Sequence, residues 1–417
     1  MAGPGEYFDD LETREPEERE AALMAALPAQ IAHAKAKAPG FTRILKDVDP
    51  AAVTSREALA QVPVTRKSDL LELQKAEPPL GGLAAIAPGA AARLFTSPGP
   101  AFELQGPRAD YWRAARALFA AGFRAGEVVH NSFSYHLTPG GWILDSGLRA
   151  LGCAVIPAGV GNSEAQVQVI AQFRPCGFAG TPDFLKVILD KGAELGLDCS
   201  SITKALVSGG ALFPAQRQEY ADRGIAVLQA YVTADLGSIA YESAADQGMI
   251  LDEGLIVEIL RPGTGDPVPE GEVGEVVATT LDPDYPLIRF GTGDLSAFLP
   301  GGSPCGRTNM RLKGWMGRAD QNTKVKGMFV HPAQVAEVIK RHPEIAKARL
   351  VVTREGESDV MTLVCEVDDE LAGNEDLAAA VADSLQGVTK LKGGVVLCPP
   401  GELPNDGKVI EDTRSYD

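Results

Sequence analysis

Apolar positions recur along this chain in two rhythms, a helical one and an alternating one, and their order outlines the fold. Residues 17 to 37, EEREAALMAALPAQIAHAKAK, have helical spacing, and Pro28 is expected to break the run. Further along, YWRAARALFAAGF reads as a helix, EVVHNSFSY as a strand, GGWILDSGLRALG as a helix and CAVIPAG as a strand. SEAQVQVIAQF then reads as a helix, CGFAGT as a strand, and PDFLKVILDKGAELG as a helix with Pro182 in its first turn. Strands alternating with helices imply crossover units on a parallel sheet, so the fold class is α/β.

The rhythm changes after ITKALVSGGALF and IAVLQAYVTADLG. GLIVEILRPGTGDPVPEGEVGEVVATTL has short strands punctuated by turn residues, which predicts a small antiparallel sheet. A polar stretch, GRADQN at Gly317 to Asn322, precedes a strand and helix in KVKGMFVHPAQVAEVIKRHP. The strands ARLVVTRE and MTLVCEV, the helix NEDLAAAVADSLQ and the strand GGVVLC follow. The 417 residues exceed one ordinary domain, so two are expected: a large N-terminal α/β domain over 1–317 and a small α+β domain over 318–417.

Composition changes this picture only through charge. A net charge of −17 opposes broad binding to nucleic acid or an anionic membrane, because the summed field repels polyphosphate; a nucleotide must meet local donors. There is no run of 18 apolar residues, and the N-terminal stretch is acidic, so neither a membrane span nor a signal peptide is expected and a cytoplasmic location follows. The six cysteines lie far apart without a CxxC pair, so reduced thiols are expected and structural zinc is not.

Several stretches carry candidate chemistry. In YPLIRFGTGDLSAF, Asp294 follows Gly-Thr-Gly at the end of an apolar strand, where a carboxylate can accept two hydroxyl hydrogens or simply cap a turn. Gly317, Arg318 and Asp320 sit at the expected domain boundary, with Lys326-Gly327 on the strand beyond. Lys408 stands on a Pro404/Gly407 turn nine residues from the end of the sequence, where alone it reads as a solvated loop lysine. RLFTSPGPAFELQG, Arg93 to Gly106, is a Thr-Ser start with glycine among prolines, either a turn or a phosphate loop.

Taken in order, RAGEVVHNSFSYHLTPGG, LRALGCAVIPAGVGNSEAQVQVI, ALVSGGALFP, LQAYVTADLG, YPLIRFGTGDL, GRAD, VKGMFVHPAQVAEVI and LPNDGK resemble the adenylate-forming superfamily of acyl- and aryl-CoA ligases, specifically its phenylacetate-CoA ligase branch, over residues 7 to 414. The resemblance implies an adenylate-forming N-terminal domain, a mobile C-terminal domain, and a two-step reaction. A small aromatic or short branched carboxylic acid and ATP form an acyl-adenylate, which is then passed to coenzyme A. It implies ATP or AMP, Mg²⁺ and coenzyme A as cofactors, with no nucleic acid or membrane partner, and leaves a homodimer open. An acceptor other than coenzyme A, and a nucleotide- or acyl-CoA-binding protein without ATP chemistry, are the alternatives at this point.

Residue by residue, the resemblance makes Asp294 the ribose-binding carboxylate, Arg318 the arginine at ribose and phosphate, and Lys408 the cation at the reacting oxygens, with Asp320 as hinge. Ser208, Gly209, Gly210 and Ala211 would form the turn on adenine and the acyl pocket, and Tyr231, Val232 and Thr233 the adenine-stacking strand. Asp235 would hold magnesium where the family has a glutamate; Phe133, Tyr135, His136, Gly210 and Val232 would line the acyl pocket; Lys326 and Gly327 would meet coenzyme A or else form plain strand surface. His331 precedes Pro332 at a strand-to-helix junction, a capping position. Thr96, Ser97 and Gly99 are what remains of the phosphate loop, whose lysine and second threonine pair are missing, and Glu103 is a further carboxylate for the metal's vicinity. Each lost donor beside charged oxygens weakens the phosphate grip by about 1.5–3 kcal/mol where nothing replaces it.

Overall fold

The computed structural model describes residues 6–97, 101–243, 247–319, 321, 323–325, 328–355 and 358–414, without the side chains of Lys324, Phe329, Glu355 and Ser358. The chain forms two compact units. One comprises Met1–Val257, Ala278–Phe290 and Phe298–Trp315; the other comprises Glu258–Val277, Gly291–Ala297 and Met316–Asp417.

A nine-stranded sheet organises the first unit. Its strands Ala154–Pro157, Val128–Asn131, Gly177–Gly180, Lys204–Val207 and Ala226–Thr233 lie side by side and parallel. Gly237–Tyr241, Met249–Leu251, Arg311–Leu312 and Phe298–Leu299 extend it with antiparallel pairings. The crossover helices are Gly140–Ala150, Ser163–Phe173, Pro182–Leu195 and Pro214–Asp222. The third shows how locally these elements are specified. Thr181 accepts from Phe184 N at 3.3 Å as the N-cap, Pro182 opens the first turn, and Gly196 ends the helix at φ +64°. Its buried Leu185, Ile188 and Leu189 join Phe178, Ala205 and Val207 of the sheet in one apolar cluster. Burying each large side chain there contributes about 1.5–3 kcal/mol.

Pro28 does not break its helix, which runs without interruption over Pro16–Lys37. Proline removes one N–H and crowds the carbonyl four residues back, but Leu23, Met24, Leu27, Ile31 and Ala34 are all buried along the same element, and tertiary packing outweighs the local penalty. The segment ahead of this helix is fixed by ionic contacts. Glu12, 1% exposed, meets Arg307 at 3.0 Å and accepts from the Tyr241 hydroxyl at 2.7 Å, while Arg19 reaches Glu253 at 2.8 Å.

In the second unit Lys347–Glu355 and Ser358–Glu366 form an antiparallel pair, with Gly394–Cys398 added parallel on one edge and Ile410–Asp412 parallel on the other. Helices Pro332–Arg341 and Glu375–Thr389 close its core through Val335, Val338, Val381 and Leu385 against Leu350, Val352 and Leu363. Thr323–Val325 and Met328–Val330 form a small antiparallel hairpin.

A buried histidine sits on the second strand from the edge of the parallel sheet. His130, fully buried on the strand Val128–Asn131, contacts Gln166 Oε1 through Nε2 at 2.7 Å and stacks on Phe178, while its Nδ1 has no partner. Burial holds its pKa below the ordinary 6.5, with the Gln166 bond opposing that shift. The folded chain therefore binds this proton less readily than the unfolded chain, so the contribution is intact above pH 6.5 and is lost as pH falls below it. Melting of the full chain between pH 7.5 and 5.5 should show Tm falling less steeply for His130→Gln than for the unaltered protein; parallel curves would remove His130 from the acid response.

Candidate functional site

The stretch RLFTSPGPAFELQG is a β-hairpin. Arg93–Ser97 pairs antiparallel with Ala101–Gln105, with Ser97 opposite Ala101. Thr96 N donates to Leu137 O at 2.9 Å, which ties the hairpin to the loop that carries His136. Ser97 is buried and its hydroxyl donates to Glu103 Oε1 at 2.9 Å. Burial first, then the adjacent Asp235 carboxyl, push the Glu103 pKa well up.

Asp235 lies in the tight turn between strands Ala226–Thr233 and Gly237–Tyr241. That turn is shaped by Gly237, at φ +72°, where a Cβ would stand 2.7 Å from the Trp112 carbonyl. Thr233 Oγ1 accepts from Leu236 N at 3.2 Å and closes it. Asp235 Oδ2 is held by Lys67 Nζ at 2.6 Å, and its Oδ1 is buried without a partner. A carboxylate oxygen left open on a rigid turn suits a hard cation such as Mg²⁺, so the position fits the ion that the resemblance implies. Tyr231 and Val232 precede the turn, with a register shift between them in the ladder.

The loop after the strand Val128–Asn131 is held by Asn131. Its amide donates to the Tyr135 hydroxyl at 2.8 Å and to Gly141 O at 2.9 Å, and Tyr135 donates to Asp145 at 3.1 Å. Burial, then Asp145, push the Tyr135 phenol upward, so it acts as a neutral donor. Trp142 packs edge-on against Tyr135 at 5.1 Å, and the Arg93 guanidinium lies 3.9 Å above the Trp142 ring. His136 is exposed on this loop. Phe133 reaches the Ser208–Ala211 turn: a Cβ on Gly209, at φ +71°, would stand 3.6 Å from its ring. Ser208 N donates to Gly180 O at 3.1 Å, and a Cβ on Gly210 would touch only Pro182.

In the second unit Asp294 falls within the strand Phe290–Ser296 rather than at its end, paired across an isolated bridge with Arg318. Asp294 N donates to Thr292 Oγ1 at 3.1 Å, and Arg318 Nη1 meets Asp294 Oδ1 at 3.0 Å. Gly293 leaves room for this pair, since a Cβ there would stand 2.6 Å from the guanidinium. The carboxylate thus has its charge answered while its arginine stays half-exposed. Lys408 is exposed, 3.5 Å from Glu411, on a turn with Gly407 at φ +70°.

Three side chains hold that turn. Asn405 Oδ1 accepts from Val273 N at 3.0 Å and its amide donates to Gly271 O at 3.2 Å. Gln321 accepts from Val409 N at 2.7 Å and Ile410 N at 2.9 Å, and its amide donates to Arg318 O at 3.0 Å. Arg349, almost fully buried, donates to Lys408 O at 3.2 Å and Pro404 O at 3.2 Å and pairs with Asp406 and Glu411.

The structure thus brings Ser97 to Glu103, Asp294 to Arg318 and Phe133 to Gly209. Gly99, Asp320, Lys326 and Gly327 lie outside the described residues. Sequence reasoning missed Lys67, Gln321 and Arg349. The polar tail of GRADQN was the one signal for Gln321, and Lys67 had none, being 168 positions from its partner.

Residues 327–414 match the model of the AMP-binding enzyme C-terminal domain. The chain is 30% identical to the phenylacetate-coenzyme A ligase of Thermus thermophilus over 438 aligned positions, covering 95% of this chain and 96% of that one. It is also 30% identical to the phenylacetate-coenzyme A ligase of Aromatoleum evansii, across 92% of this chain and 90% of that protein. Among solved structures, a 2-hydroxyisobutyryl-CoA ligase in complex with 2-HIB-AMP and CoA superposes with a TM-score of 0.70 at 24% identity, over all of this chain and 95% of that one, which establishes a shared fold.

Arg349 is the buried cation behind the Lys408 turn. Arg349→Leu removes two carbonyl contacts and two ion pairs and should destabilise the second unit by at least ~2 kcal/mol. Urea denaturation of the full chain followed by circular dichroism checks this, and an unchanged midpoint would refute it.

Proposed function

The chain belongs to the phenylacetate-coenzyme A ligase family of AMP-forming acid-CoA ligases, and from that we propose that it activates a small aromatic or short branched carboxylic acid with ATP and passes the acyl group to coenzyme A. The observation that carries the residue assignment is the joint retention of the Asp294–Arg318 pair at 3.0 Å and an exposed Lys408 on a braced turn. A protein that only bound nucleotide would have no physical need of Lys408.

In this reading Asp294 accepts the ribose hydroxyls and Arg318, released in part from Asp294, meets ribose and phosphate oxygens. Lys408 brings its ammonium to the carboxylate and α-phosphate, where negative charge builds as the acyl–oxygen–phosphorus link forms and pyrophosphate leaves. Tyr231 stacks on adenine, with Val232 and Thr233 beside it. The turn Ser208, Gly209, Gly210 and Ala211 lets backbone approach the base and the acyl group, and Thr96, Ser97 and Gly99 contact phosphate. Asp235 would hold Mg²⁺, which supplies charge neutralisation at the phosphates when bound.

Phe133, Tyr135, His136, Gly210 and Val232 wall the acyl pocket, and the aromatic pair Tyr135 and Trp142 supports a flat or compact acid. Residues 318–417 act as the mobile domain, turning at Asp320 to withdraw Lys408 and bring Lys326 and Gly327 toward coenzyme A. No described helix is long and apolar enough to cross a membrane.

Lys408→Ala should lower acid-dependent ATP/pyrophosphate exchange by a factor of about 10²–10³. It should leave most thioester formation from supplied acyl-adenylate intact. A panel of aryl, branched and hydroxy acids in the same exchange assay identifies the substrate class, and undiminished exchange in Lys408→Ala would sink the assignment.

A further inference from the structure

Two carboxylate oxygens in the first unit are buried without a partner at one spot, Glu103 Oε2 and Asp235 Oδ1. The other oxygen of each is answered, Glu103 Oε1 by Ser97 at 2.9 Å and Asp235 Oδ2 by Lys67 at 2.6 Å. Glu103 is 1% exposed, so its free oxygen has no recourse to solvent. The Tyr285 hydroxyl is a third buried polar atom without a partner, and after burial the two acids whose field it feels most are Glu103 and Asp235.

Carboxylate oxygens only accept, so two of them side by side are satisfied by a proton or by a metal ion. A buried acceptor left unsatisfied costs about 1–3 kcal/mol. Both acids stand on rigid elements, Glu103 on the second strand of the hairpin and Asp235 on the turn shaped by Gly237. Ser97 and Lys67 engage the other oxygen of each acid, which leaves Glu103 Oε2 and Asp235 Oδ1 as the open acceptors of two neighbouring carboxyls. Mg²⁺ is held in proteins by one or two carboxylates together with phosphate oxygens and water, and this is such a donor set.

We propose that Glu103 is a second carboxylate ligand, alongside Asp235, for the divalent cation that accompanies the nucleotide. The proposal rests on the reading of Asp235 as the metal residue and supplies what the hairpin lacks. Pro98 and Pro100 have no N–H to give a phosphate, and the loop lysine is missing, so neutralisation of the phosphates passes from loop donors to a more firmly held ion. Glu103 stands six residues after Ser97, on the second strand of the hairpin.

Mn²⁺ titrated into the full-length protein, followed by loss of the free-ion electron paramagnetic resonance signal, reads the site without turnover, and metal-free AMP binding by calorimetry reports that the fold is intact. Glu103→Gln should weaken Mn²⁺ about tenfold or more and leave AMP affinity unchanged, with Glu103→Asp in between. Unchanged Mn²⁺ affinity in Glu103→Gln overturns the proposal, the two acids then merely sharing a proton. If Glu103→Gln does not fold, unchanged affinity in Glu103→Asp overturns it equally. Asp235→Asn separates the two layers: weakened Mn²⁺ there alone leaves Asp235 as the metal residue without Glu103, and no weakening in either variant removes both.

Discussion

A carboxylate taken out of water has to be answered by a cation or a proton, and that constraint runs through the whole of the first unit. The chain carries 56 acidic against 39 basic residues, yet it buries Glu12, Glu103, Asp235, Asp252 and Glu253. Arg307 answers Glu12, Arg19 answers Glu253, Arg113 answers Asp252 at 2.9 Å, and Lys67 answers Asp235. Each pair joins segments far apart in sequence, so the ionic contacts staple the N-terminal segment and the sheet's antiparallel extension into one body. Breaking such a pair from one side leaves a buried charge and is far more damaging than replacing both partners would be.

Glu103 is the exception that defines the site, since its neighbours are another acid and a serine. Among its described residues the unit elsewhere matches each buried acid to a base, yet it leaves Glu103 Oε2 and Asp235 Oδ1 without a partner in the vicinity of Tyr285. Consistency at every other buried acid makes the mismatch informative, because local rules are broken chiefly where function requires it.

Much of the fold was legible in the sequence, because its elements are specified locally. The helix expected over SEAQVQVIAQF is found at Ser163–Phe173, and Thr181, Pro182 and Gly196 delimit the next one as their residue types dictate. Where tertiary forces overruled local ones the reading failed: Pro28 lies inside an unbroken helix, and Asp294 sits within its strand instead of ending it. The order of motifs singled out Asp294, Arg318 and Lys408, but the residues that hold them stayed hidden. Gln321, Arg349 and Lys67 act through contacts between distant segments, and no spacing rule reports those. Among the histidines attention went to exposed His136, whereas the buried one is His130, whose strand VVHN carries no sign that a polar ring lies inside it.

The contacts of Asn405 and Gln321 bear on how the second unit can rearrange. For a rotation about Asp320 that carries everything after it as one body, the Gln321 bonds to Val409 and Ile410 travel with the moving part. The Asn405 bonds to Val273 and Gly271 span the moving and stationary parts and have to part, as does the Gln321 bond to Arg318. Three ordinary hydrogen bonds, each worth about 1 kcal/mol net, make a latch of a few kcal/mol. In the proposed rotation Asn405 thus adds to the cost of leaving this posture without touching either substrate.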